Sequence, residues 1–194
     1  MSFVRRLRLP LVVTTVLLTA SCGDPPDKEL QQARSAIESA RAASAEVYAR
    51  DEFSAAETAL KSATEAVDQR DYRLALNRAL DARERAQNAE KEAASRKAAA
   101  RTEASRAVAA AGRALDEARA RLKTAEGAHV AARVITPARR SIADNEVAVQ
   151  EARTAFGQGD FSHATEAAGT ATTQLRGLAK ELESAAAPAS RRRR

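Results

Sequence analysis

The stretch A-V-D-Q-R-D-Y, residues 66–72, returns 89 positions later as A-F-G-Q-G-D-F, residues 155–161. Each copy interrupts a run of apolar residues spaced by three and four, and a second run with the same spacing follows it. Each copy therefore reads as the tight turn of a helical hairpin. Gly157 and Gly159 are placed to end the preceding helix, Asp71 and Asp160 to cap the following one, and Tyr72 and Phe161 to open it with a bulky ring. Aligning residues 48–82 with 137–171 gives 11 identities in 35 positions, seven of them alanine. In so alanine-rich a chain the apolar register weighs more: Phe53, Leu60, Val67 and Tyr72 fall on Ile142, Val149, Phe156 and Phe161.

Outward from these turns the chain reads as helices throughout. After Pro25-Pro26, Leu30, Ala33, Ile37 and Ala40 form a first seam, which Val47 extends. A second helix begins with Asp51 as its N-cap and carries Phe53, Ala56, Leu60, Ala63 and Val67. A third starts at Asp71 and Tyr72 and sets Ala75, Ala79, Ala82, Ala86, Ala89 and Ala93 along one stripe. No proline occurs between Asp27 and Thr136, so this helix can run from Tyr72 to Arg133, roughly 90 Å at 1.5 Å per residue, unless Gly112 or Gly127 kinks or ends it. Its later seam is Val108, Ala111, Leu115, Ala118, Leu122, Ala125, His129 and Ala132. V-I-T-P at 134–137 predicts a break, since the residue before proline avoids helical geometry and proline suits a first turn. A helix with Ile142, Val149, Ala152 and Phe156 follows, and after the second turn a last one runs from Phe161 through Leu175, Leu178 and Leu182 to Ala185. All five aromatic residues after position 21 lie at or near helix ends, where a hairpin tip splays and needs bulk.

The fold class expected is all-α: elongated antiparallel hairpins, or coiled-coil-like three-helix units, with two halves joined by a long central helix. The expected division is 1–21 as an export signal, 22–28 as a linker, 29–105 and 106–186 as two helical units, and 187–194 as a basic disordered tail.

Composition narrows the function. The sequence pI is near 10.0, which suggests an anionic partner. Remove the three arginines of residues 1–21 and the four that end the chain, however, and 25 basic residues remain against 26 acidic ones. The body has no basic face for nucleic acid. Leu, Ile, Val and Phe make up only 23 of the 173 residues after position 21, so the helices must pack closely through alanine.

Arg5, Arg6 and Arg8 precede a short apolar run at 9–18, the layout of an export signal too short to span a bilayer as a lasting anchor. T-A-S-C at 19–22 holds the only cysteine of the chain and resembles a bacterial lipoprotein box, with Thr19 where the box usually carries leucine. The resemblance implies that Cys22 is acylated and becomes the first residue after cleavage, and Gly23 beside it favours the outer membrane. Ordinary cleavage after Ser21 is the alternative and would release a soluble helical binding module. A-V-D-Q-R-D-Y and its later copy resemble the inter-helix turn of tetratricopeptide hairpins, although the spacing is not the 34-residue period of such arrays. With the box, the turn and A-R-S-A-I-E-S-A-R-A-A at 33–43, roughly the first hundred residues resemble an Ala-rich helical lipoprotein family of Gram-negative bacteria, a domain of unknown function.

Chemistry is sparse. His129 falls on an apolar seam as a partly buried or edge residue, and His163 follows the second turn into solvent. Without a second thiol or paired histidines no metal site is expected, and no cofactor-binding or nucleophile motif occurs. Glu57, Glu65, Glu84, Glu90 and Glu92 alternate with basic residues as solvated ion pairs, so no enzyme is expected. Arg191, Arg192, Arg193 and Arg194 are the one charge run that could touch an anionic envelope surface. The expected partners are a membrane through the lipid on Cys22, an envelope protein and a second copy of the chain.

Overall fold

Helices α1 (Asp27–Ala42), α2 (Ala45–Tyr48), α3 (Arg50–Asp68), α4 (Tyr72–Gly127), α5 (Ala132–Gln158) and α6 (Phe161–Arg191) make up nearly all of the backbone in this computed structural model. It describes residues 24–191, with side chains as far as Ala187. The class is all-α, and no strand occurs among the described residues.

The central helix expected from the sequence is present. Alanine, arginine, glutamate and leucine, the strongest helix formers, dominate α4, and its 56 residues span about 84 Å. It passes through Gly112 unbroken and ends at Gly127. Its buried alanines hold two groups of helices. Leu30 of α1 meets Ala63 of α3 and Ala79 of α4, and Ala33 meets Ala59 and Ala82. Helix α1 thus runs antiparallel to α3 and parallel to α4. Further along, Ala104 meets Ala155, Phe161 and Ala164, and Ala125 meets Ile135, Ala138 and Leu182. Here α4 runs antiparallel to α5 and parallel to α6. The molecule is two up-down-up units in which the third helix of the first continues as the first helix of the second.

Between Ala93 and Ala104 no residue of α4 is buried, and none of α1–α3 packs against α5 or α6 among the described residues. The second core therefore starts at Ala104, slightly before the expected boundary at residue 106.

Several local expectations differ. Val47 does not extend α1: that helix ends at Ala42, Ser44 takes a left-handed φ of 69°, and Val47 lies on the short α2, 69% exposed. Arg41 holds this corner, reaching Glu38, Glu46 and Glu57 and stacking 5.4 Å from the Phe53 ring centroid. Its hydrogen bonds to Glu46 and Glu38 raise its pKa above the ordinary arginine value. Asp51 is not an N-cap; α3 begins at Arg50 and Asp51 lies in its acidic first turn, where it complements the helix dipole. The expected break at Pro137 lies earlier, at 128–131, and Pro137 sits inside α5. The cause is a completed helix end: Val130 N–H donates to Ala125 O at 3.1 Å and His129 N–H to Glu126 O at 3.0 Å. His129 accordingly leaves the seam for the turn, at φ 57°, and is exposed together with Ala132. Helix α6 runs on to Arg191, past the expected end of order at residue 186, because alanines at 185–187 and 189 keep helix propensity high.

Candidate functional surfaces

The two repeated turns are built bond for bond alike. Asp71 N–H donates to Ala66 O at 2.9 Å and Arg70 N–H to Val67 O at 2.9 Å; Asp160 N–H donates to Ala155 O at 3.0 Å and Gly159 N–H to Phe156 O at 3.1 Å. Each turn pivots on one left-handed residue, Arg70 at φ 58° and Gly159 at φ 83°. Each aspartate then caps the next helix: Asp71 Oδ1 accepts from Leu74 N–H at 2.9 Å, and Asp160 Oδ1 from His163 N–H at 3.0 Å. Phe161 is buried and its ring lies 5.7 Å from that of Phe156, plugging the tip, while Tyr72 is half-buried at the matching place. Gly157 is exposed, with open space where a side chain would stand. These residues position the helices that follow and precede them.

The charged groups lie on outer faces. Glu57 pairs with Arg41, Glu65 with Lys61 and Glu92 with Arg96, all substantially exposed. His163 Nε2 lies 3.1 Å from Glu151 Oε1 at the surface, 12 residues away along the hairpin. No group of three His, Cys, Asp or Glu residues among those described could hold a metal ion, and no described helix is long and apolar enough to cross a membrane. Cys22 and Arg192, Arg193 and Arg194 lie outside the described residues, and Arg191 closes the α6 backbone.

One polar group was not legible from the sequence. Asn145 sits at a core position of α5, 4% exposed; its Nδ2 donates to Ser141 O at 2.9 Å while Oδ1 has no partner. An asparagine in an Ala-rich helix gives no signal of burial, and only its register, three residues after Ile142 and four before Val149, could have placed it in the core.

A groove between α4 and α5, 620 Å³ in volume, is lined by the buried Leu115 and Val149 and bordered by the exposed Val147. The broader geometry is polar in another sense: Leu30 beside Ala79 and Leu182 beside Ala125 fix the two ends of the described chain 46 residues apart along α4, about 70 Å.

Residues 28–105 match the model of a family described as a domain of unknown function, DUF4398. The matched stretch covers α1–α3 and α4 as far as the start of the second core, so the turn at 66–72 lies within it. No curated protein and no solved structure matches the chain.

Proposed function

We propose that this chain is a non-enzymatic spacer and interaction scaffold of a Gram-negative cell envelope, held through a lipid on Cys22 and facing the periplasm, with the outer membrane as its anchor. The observation that carries the reading is the rod itself: a continuous α4 sets the start of α1 and the end of α6 about 70 Å apart. A molecule anchored before α1 would hold its helical faces and its far end well away from the membrane.

The test is mass spectrometry of the N-terminus together with crosslinking in intact cells, using Cys22→Ala as the control. Acyl chains on Cys22 and partner crosslinks that vanish in Cys22→Ala are expected. An unmodified cysteine, or an uncleaved signal, would sink the lipid anchor.

The same end-to-end placement favours a second reading, in which the four terminal arginines tether the rod to an anionic surface such as lipid, lipopolysaccharide or wall polymer. Basic residues near an anionic membrane contribute on the order of 1 kcal/mol each, and salt screens them. Sedimentation with anionic vesicles and with wall material, at low and moderate salt, should fall when the chain is cut after Ser190. Equal sedimentation of the two forms rejects the tether.

A further inference from the structure

The body of the chain is close to neutral, yet the fold shares its charge unequally between the two ends of the rod. Near the start of α1, residues 24–36 and 60–80 hold six basic and six acidic side chains. At the other end, residues 121–140 and 176–191 hold eight basic residues against three carboxylates. Two of those three are already neutralised, since Glu126 lies 2.9 Å from Arg139 and Glu183 lies 3.6 Å from Arg121. Asp144, the next carboxylate along α5, stands one helical turn past Arg140 toward the middle of the rod.

The remaining cations form one band. Ala125, Ile135, Ala138 and Leu182 meet in a single cluster, so α4, α5 and α6 share a level there. Lys123 and Lys180 each stand two residues short of that level, about 3 Å, and Arg133 and Arg140 bracket it, about 10 Å apart on one side of α5. Arg176 is one turn behind Lys180 on the same face of α6. All five side chains are exposed, and none has a carboxylate partner among the described residues. Helix α4 stops at Gly127, whereas α6 goes on to Arg191, nine residues or about 13 Å past Leu182. The chain therefore leaves the fold at this same end, with Arg192, Arg193 and Arg194 still to come.

The layout selects a surface over a small ligand. A small anion is held by groups that converge on one concave point, whereas these cations stand exposed on three helices around a blunt end. An extended polymer would be served by a stripe along the rod, and here the unpaired cations are confined to its last few helical turns. A bilayer of anionic lipids meets such an end face-on. It attracts every cation within a Debye length of its phosphates and needs no shaped pocket.

We propose that the folded end of the second unit is a contact site for an anionic phospholipid surface, with Lys123, Arg133, Arg140, Arg176 and Lys180 facing the lipid phosphates. The inference rests on the tether reading above for the class of surface, and it moves the contact from the terminal arginines alone to a site built by α4, α5 and α6.

The test uses the chain from residue 22 with Cys22→Ala, which keeps every described helix and carries neither signal nor acyl chain. Flotation with phosphatidylcholine vesicles, with and without phosphatidylglycerol, compares the chain to Arg194, the chain ended at Ser190, and two triple variants of the shorter form. One carries Arg133→Glu, Arg140→Glu and Lys180→Glu; the other carries Lys28→Glu, Arg73→Glu and Arg78→Glu at the opposite end, all on exposed side chains. The two change net charge equally, so only position distinguishes them. The form ended at Ser190 is expected to bind phosphatidylglycerol vesicles, to ignore neutral ones and to be released by moderate salt. The first triple variant should bind about tenfold more weakly and the second within about twofold of its parent, with helicity by circular dichroism unchanged in both. Equal loss in the two variants, or binding of neutral vesicles as well, would overturn the proposal, and so would charge-dependent binding to isolated wall material with none to vesicles. If the cut after Ser190 removes all binding, the folded site fails and the terminal arginines keep the tether. If the cut changes nothing while the first triple variant loses binding, the terminal arginines lose that role and the folded site stands.

Discussion

Helix α6 buries Leu175 and Leu182 where α4, 89 positions earlier, buries Ala86 and Ala93 in the first unit. At six other pairs the two units agree: Phe53 and Ile142, Ala63 and Ala152, Ala66 and Ala155, Ala75 and Ala164, Ala79 and Ala168, and Ala82 and Ala171 are buried pair by pair. One backbone plan is therefore filled two ways. A buried leucine contributes about 1.5–3 kcal/mol by transfer from water, and an alanine methyl well under that. The first unit depends on close helix approach and on the Arg41 network at its corner. The second has a larger core and, among the described residues, carries the one buried orphan, Asn145, at the position of Ala56.

The comparison is broken most strongly by making the second unit resemble the first. Leu175→Ala should cost about 3 kcal/mol in chemical denaturation, because it deletes a fully buried side chain and leaves a cavity. Hydrogen exchange should then lose protection in α5 and α6 while α1 and α3 keep theirs; equal loss in both units would show that the shared helix couples them into one cooperative unit. The opposite exchange, Ala86→Leu, should destabilise by about 2 kcal/mol, since a 0% exposed methyl at a close helix contact has no room for three more carbons. A gain in stability there would mean that the first unit is loosely packed.

Smaller effects sharpen the same contrast. Asn145→Val should raise the stability of the second unit by about 1 kcal/mol, by removing an acceptor that burial leaves without a donor. A fall in its denaturation midpoint would show that Oδ1 is satisfied in solution. Asp71→Ala and Asp160→Ala should each cost about 1 kcal/mol, and by similar amounts, because both carboxylates cap through the same bond. The least effect is expected of Arg70→Gly, which should stabilise the first unit by about 0.5 kcal/mol by placing glycine at the left-handed position that Gly159 occupies in the second. A midpoint unchanged or lowered by that substitution would mean that the Arg70 side chain contributes contacts of its own.

The turns were readable in the sequence because their chemistry is local. Asp71 and Asp160 each cap through a bond to the residue three positions on, and Gly159 supplies its own left-handed conformation. The alanine seams were readable for the same reason, as helical spacing alone brings positions three and four apart onto one face. His129 was misplaced because the seam was followed past the point where the helix closes. Gly127 marks a possible end within T-A-E-G-A-H-V, but less plainly than G-Q-G-D does at the second turn, since the left-handed residue is a histidine and no aspartate follows. Asn145 and the groove between α4 and α5 were not readable, because burial and the walls of a groove depend on which helix stands opposite.

By itself the sequence determined an all-helical chain, the positions of two hairpin turns and the alanine faces that must be buried. Each of these follows from contacts within about one helical turn. Only the tertiary structure decided that α1 stops at Ala42, beside Arg41 and its three carboxylates, and that α5 starts at Ala132, five residues before Pro137. The physical reason is the same in each case. A left-handed residue without glycine, at Ser44 or His129, costs free energy locally and is held by groups distant in sequence: Lys97 on Ser44 Oγ at 3.0 Å, and Val130 packed with Ala125, Ile135 and Leu182.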